Sequence, residues 1–311
     1  WWFSACGSSP SLCINHDSFV PKRPAHAGLF YASKALSSAA VINLLLNYVL
    51  LLQREYRQLI MMKLNKIMLA GWLSLIAAGQ VFAAPTEVAK ASSPVVIDGK
   101  ADEAAWDNAK WHPLKHLMVG TMPIPADFSG RFKMLWDEEQ LYLQVEIIDD
   151  VLIDTHPNPL LTYWDDDCLE IFIDADASGG NHLKSYNAFA YHIALDGNVV
   201  DIGPTSNGGQ EFVLLNEHAT SRWTREDTPP YQITWEVSFR VYPDTFHHNK
   251  PVQPLSLSAE QVLGFMLAYC DNDGSEEREH FVGSHEVEPV NGDRNLGYID
   301  ASVFGKIKLV D

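Results

Sequence analysis

The sequence predicts an all-β domain: a two-sheet β-sandwich of the jelly-roll or immunoglobulin-like kind, with one short helix. Three observations carry this. Eight short runs of strand-forming residues recur between Val95 and Val310. Turn pairs such as Asp98-Gly99, Asp196-Gly197 and Asn207-Gly208 punctuate them. The chain has no alternation of strands with long amphipathic helices and no internal repeat, which disfavours a parallel α/β sheet or a solenoid.

Val95-Val96-Ile97 is β-branched and stops at Asp98-Gly99, a turn pair. Asp102 to Lys110 is the single helical stretch, with Asp102 and Glu103 at its positive end. Phe128–Leu135 and Leu141–Ile148 flank the polar Asp137-Glu138-Glu139-Gln140 and read as a hairpin. In the second arm Leu141, Leu143, Val145 and Ile147 alternate with Tyr142, Gln144 and Glu146, the two-residue period of a half-buried strand. Leu169–Asp174, Ala188–Leu195, Tyr231–Arg240, Val262–Tyr269 and Phe304–Val310 complete the set.

The chain has 311 residues, 47% hydrophobic, with 22 Lys and Arg against 40 Asp and Glu. That composition suits a globular protein, and its net charge of -18 disfavours binding to nucleic-acid phosphates. The front end differs from the rest. No methionine precedes Met61, and residues 1–61 read as upstream translation outside the fold. From Met62 a positive pair, Lys63 and Lys66, precedes an apolar run from Ile67 to Ala78 and small residues up to Ala83. Residues 62–83 therefore read as a secretory signal peptide cleaved near Ala83, giving a secreted or periplasmic protein with no membrane span in its mature form. An alternative anchor, Ala35 to Leu52, is interrupted by Asn43 and Asn47. Removing residues 1–83 takes away seven basic and two acidic residues and leaves a formal charge of -23. Residues 84–93 read as a linker and 94–311 as the domain. Cys168 and Cys270 remain in that domain, either bridged or as two buried thiols.

The chain contains no GxSxG elbow, HExxH helix, phosphate-binding P-loop or dinucleotide fingerprint. Asp174, Asp176 and Ser178, followed by Gly179, place oxygen donors at alternate positions before a turn glycine, as calcium loops begin. Ser185 stands where an EF-hand needs its bidentate glutamate, so the reading is a partial calcium site. Asp149, Asp150 and Asp154 form a second acidic group; Asp271, Asp273, Glu276 and Glu277 form a third. The most distinctive segment is Trp164-Asp165-Asp166-Asp167-Cys168-Leu169-Glu170. Leu169, Ile171 and Ile173 face the core from one side of a strand, while Cys168 and Glu170 face the other, with Trp164 at the entry loop. An indole beside a carboxylate suits a sugar: the ring covers the apolar C–H face of a pyranose, and the carboxylate accepts hydroxyl hydrogen bonds.

The order Val96–Trp106, Phe132–Asp149 and Trp164–Asp174, continued through Tyr186–Gly197, Tyr231–Val237 and Phe304–Leu309, resembles the family 9 carbohydrate-binding modules over about residues 94–311. The resemblance implies a jelly-roll sandwich that binds glycans between two tryptophans, with structural calcium and a frequent partner glycoside hydrolase of the xylanase type. Carried over, Trp164 is the first platform, Glu170 the carboxylate and Asn272 a candidate amide. Phe281 stands where the second tryptophan falls. The implied function is non-catalytic carbohydrate binding. Two alternatives stay open: a haem b-binding sandwich using Met118, Met122, Met134 or His192, and a glycoside hydrolase acting through unassigned carboxylates.

Overall fold

A computed structural model describes residues 38–76 and 84–311. The chain divides into two units, Trp1–Val81 and Phe82–Asp311. In the first, Ser38–Ile76 forms the helix α1. It takes in Lys63, Lys66 and most of the expected signal's apolar run, whereas the expected cleavage segment up to Ala83 lies outside the described residues. Among the described residues, no helix is long and apolar enough to cross a membrane.

The regular structure of the second unit is strand apart from two short 3-10 turns, as the short strand runs predict. Its strands are β1 (Thr86–Lys90), β2 (His112–Leu114), β3 (His116–Gly120), β4 (Phe128–Trp136), β5 (Leu141–Asp149), β6 (Cys168–Asp174) and β7 (Phe189–Ala194). They continue as β8 (Val199–Pro204), β9 (Gln210–Leu214), β10 (Ala219–Arg225), β11 (Gln232–Phe239), β12 (Val262–Asp271), β13 (His280–Gly283) and β14 (Gly305–Val310). The hydrogen-bonded path runs β10-β11-β5-β4-β1-β14-β12-β6-β7-β8-β9, with β2 on β4, and β13 between β12 and β3. Pairing is antiparallel except at β1, which lies parallel to both β4 and β14. The strand order is thus a mixed, continuous one rather than two separately bonded sheets.

Three expectations change. The segment expected to be a linker contains β1, which joins the two halves of the strand path; its short β-branched pattern, Thr86 and Val88, buries Val88 and pairs on both edges. Val95–Ile97 instead runs as irregular chain. The expected helix shrinks to a 3-10 turn, Ala104–Asn108, that buries Ala105 and Trp106. Its last two residues are Asp107 and Asn108, whose side chains compete for backbone groups and shorten helices. Gly99 is required where it stands: its φ is +84°, and a Cβ there would lie 2.9 Å from the Trp223 backbone.

The main core takes residues from both ends of the strand path. Leu141, Leu143, Val145 and Ile147 of β5, Ile233, Trp235 and Val237 of β11, Leu169, Ile171 and Ile173 of β6, and Tyr191 of β7 belong to one cluster. Each large apolar side chain fully buried there contributes about 1.5–3 kcal/mol. The opposite faces of β6 and β12 are covered as well. Cys168, Phe172, Met266, Ala268, Cys270 and Phe281 form a second cluster there, so β6 is buried along its whole length.

Candidate functional site

The three aspartates after Trp164 act as a clamp on two other segments, residues 153–156 and 272–278. Asp165 accepts the Arg278 backbone N–H at 3.2 Å. Asp166 accepts N–H groups from Thr155 and His156, at 3.0 and 2.9 Å, and the Thr155 hydroxyl. Asp167 accepts from Ile153 on one oxygen and from Asn272 on the other, at 2.5 and 2.8 Å. Carboxylates that receive several backbone donors hold loops firmly. The result is a fixed entry into β6, with Trp164 half-buried on its outer side.

Trp164 and Glu170 line one cavity of about 280 Å³. Tyr163, Phe212, Ile202 and Tyr298 supply the rest of its apolar wall, and His192, Gln210, Arg278 and Asn295 its polar groups. The rings form a connected cluster: Tyr163 meets Trp164 edge-on at 5.0 Å between centroids, and Trp164 lies 5.8 Å from Phe212. On the floor, Glu170 and Arg278 are both largely buried, with Arg278 Nη1 3.9 Å from Glu170 Oε2 and the His192 Nε2 3.3 Å from that oxygen. An apolar wall with a few converging polar groups can cover a flat ligand face and read its hydroxyls.

The structure brings Trp164 and Glu170 together but separates the other two expected sugar contacts. Asn272 is buried and does not line the cavity; its Nδ2 donates to the Asp165 carbonyl oxygen at 2.6 Å, and its Oδ1 accepts from Gly274 and Ser275. Phe281 is 0% exposed in the second core cluster, with the Arg278 guanidinium 4.2 Å from its ring centroid. A ring with no free face offers no platform to a sugar. Tyr163, Phe212 and Tyr298 supply the other aromatic rings of the cavity. They come from a loop, from β9 and from the stretch before β14, so only the assembled fold unites them. Of the residues considered for haem, Met118 and Met134 lie in separate core clusters, Met122 is exposed, and none lines the cavity beside His192.

The expected calcium loop uses its oxygens locally. Asp174 accepts N–H groups from Asp176 and Gly179, and Asp176 accepts from Ser178, the pattern of a self-bonded turn. Carboxylates converge elsewhere. One oxygen each from Asp149, Asp167 and Asp271, all buried, lie within 4.8 Å of one another. Burial first, then neighbouring carboxylates, pushes Asp167 up to about 9 and Asp271 up to about 8; burial raises Asp149 to about 6. Both oxygens of Asp271 are buried without a hydrogen-bond partner. An all-oxygen, mutually repelling donor set with an orphaned carboxylate fits a hard cation such as calcium.

Residues 97–311 match the family described as Carbohydrate family 9 binding domain-like. Over 98 residues the chain is 35% identical to endo-1,4-beta-xylanase A of Thermotoga neapolitana, a stretch of 32% of this chain and 8% of that enzyme. The fold matches that of a family 9 carbohydrate-binding module from Caldicellulosiruptor kristjanssonii. Its complex with cellotriose gives a TM-score of 0.52 at 18% identity, covering 73% of this chain and 94% of that one. Its complex with glucose gives 0.50 at 17% identity, covering 72% and 95%.

Proposed function

Because the chain belongs to the carbohydrate family 9 binding domain-like family, we propose that its aromatic cavity binds a glycan, with Trp164 as the platform and Glu170 as the hydroxyl acceptor. The observation that carries this is the meeting of those two side chains in one cavity with Tyr163, Phe212 and Tyr298 around them. Its volume, near the lower end of the roughly 300–1,000 Å³ of small-molecule sites, suits the end of a sugar chain. Gluco-oligosaccharides are the first ligands to test, because the structural neighbours hold cellotriose and glucose.

The reading is one of binding without reaction. Glycoside hydrolysis ordinarily uses a pair of carboxylates. Among the described residues that line the cavity, Glu170 is the sole carboxylate, and it lies close to Arg278. A partner glycoside hydrolase would supply the chemistry, in keeping with the matched segment of the xylanase.

Three further parts belong to this proposal. Calcium holds Asp149, Asp167 and Asp271 together as a structural ion. The strand path forms a two-sheet jelly roll, a reading supported by the core cluster shared between its two ends. The protein is exported after cleavage near Ala83, and N-terminal sequencing of an exported product starting at Ala84 tests that part. The binding proposal is tested by calorimetric titration of the full chain with glucose and cellotriose. Saturable heats with one site per chain support it; absence of binding to these and to a broad glycan array rejects it.

A further inference from the structure

Beside the cavity floor a second set of donors converges, sharing only His192 with the cavity lining. The antiparallel register sets Cys168 of β6 opposite Cys270 of β12. Two residues along β6, Glu170 stands opposite His192 of β7. The two sulfur atoms and a ring nitrogen of His192 lie within 4.8 Å of one another. Both cysteines are unbridged and buried, and His192 is 7% exposed. Neither ring nitrogen of His192 has a hydrogen-bond partner, although both are shielded from solvent. A buried imidazole with no hydrogen bond on either nitrogen, and only the Glu170 carboxylate 3.3 Å from Nε2, carries a desolvation cost that a bound ion would offset.

We propose that Cys168, Cys270 and His192 bind a thiophilic divalent cation of the zinc class. Two thiolates and an imidazole are the soft and borderline donors that such ions select, and three protein ligands leave a fourth position for an exchangeable one. The charges balance. A dication cancels two thiolates, while Arg278, with Nη1 3.0 Å from Cys270 Sγ, is cancelled by Glu170 at 3.9 Å. Glu170 Oε2 also lies 3.3 Å from His192 Nε2 without a hydrogen bond between them, a carboxylate placed to orient a metal-bound imidazole. His192 and Glu170 line the cavity and give the ion its route in. A disulfide between the same sulfurs would leave both His192 nitrogens without a hydrogen bond, so the cation accounts for more of the cluster. The site is separate from the acidic one, whose donors are all oxygens.

Cobalt(II) is the probe. The full chain, reduced and stripped with a chelator, is titrated with Co²⁺ alone and followed by absorption. One equivalent should produce a thiolate-to-cobalt charge-transfer band in the near ultraviolet and the visible bands of a four-coordinate centre, and Zn²⁺ should bleach both. Cys168→Ser and Cys270→Ser should each lower the charge-transfer band by about half, in line with one thiolate lost of two. His192→Ala should weaken Co²⁺ binding at least about tenfold. Glu170→Gln, a positioning change, should weaken it by about 10- to 100-fold and keep the band's shape. A folded, reduced, unmutated protein that shows no charge-transfer band overturns the proposal, whatever the variants do. So does a band of full strength in Cys168→Ser. Glycan titration of the same preparation is a separate readout, so loss of one claim is not mistaken for loss of the other.

Discussion

Asn272 donates its Nδ2 to the carbonyl oxygen of Asp165 at 2.6 Å and so fixes the residue beside Trp164 from 107 positions away. Its N–H meanwhile reaches Asp167. The turn after β12 and the entry to β6 are therefore one construction, and the orientation of the indole depends on both.

Asn272→Ala should act through that construction and not through a sugar contact. It leaves the Asp165 carbonyl and the N–H groups of Gly274 and Ser275 without their partner, a cost of about 1–3 kcal/mol for a buried group. Thermal unfolding should show the loss, and glycan affinity should fall with it. Asn272→Asp keeps the Oδ1 acceptor but sets a buried carboxylate oxygen against the Asp165 carbonyl, so it should be no more stable than Asn272→Ala. A variant that loses glycan affinity at full stability would mean that Asn272 touches the ligand.

Phe281→Trp tests the reassignment of the second platform. The ring is fully buried beneath Arg278, so the larger indole should overpack the core at about 1–3 kcal/mol. Glycan affinity should not rise. Tighter binding in a stable Phe281→Trp protein would place the position in the ligand site after all.

Calcium should raise the melting temperature of chelator-treated protein. Saturation at about 100 times the dissociation constant is worth about 2.7 kcal/mol, or roughly 5–10 °C for a unit of this size. Asp271→Asn should remove the response. Asp174→Asn should retain it, because Asp174 bonds to the backbone of its own turn. The opposite ranking in a calcium melt would return the ion to the Asp174 loop.

His218 gives the stability a pH dependence. Burial first, then Arg240, lowers it to about 3, and its ring stacks on Tyr242 at 3.8 Å with Tyr191 Oη 2.8 Å from Nδ1. Below about pH 6.5 the unfolded chain takes up a proton that the folded chain refuses, so stability is lost as pH falls from there toward 3. At pH 5 the loss is about 2 kcal/mol. His218→Gln removes this one titration, so its cost in urea unfolding should shrink by about that amount between pH 7 and pH 5. An equal cost at both values would show that His218 does not titrate abnormally.

The parts of the site that share one strand and its entry loop were legible in the sequence. Trp164 and Glu170 are six positions apart in a single motif, and alternation alone separates Glu170 from Leu169 and Ile171. Phe212 and Tyr298 were not legible: their local sequences carry no signal of a platform, and only strand pairing brings β9 and the segment before β14 to the same cavity. Phe281 came from the family resemblance, which offers it where a second tryptophan falls, while its exposure depends on β3 and β12 flanking β13 and on Arg278 beside its ring. The carboxylate cluster shows the same limit. Asp149, Asp167 and Asp271 belong to three separate acidic stretches, and no spacing rule joins residues that meet only through β5, the entry to β6 and β12.

The most direct test of the account is calorimetric titration of cellotriose into the unmutated full chain and into Trp164→Ala, with melting temperatures measured alongside. Losing an aromatic platform costs a binding site about 2 kcal/mol, so the variant should bind about thirtyfold more weakly while melting close to the unmutated protein. Unchanged affinity in a folded Trp164→Ala chain would contradict the account, because the cavity would then bind its ligand without the side chain that defines it.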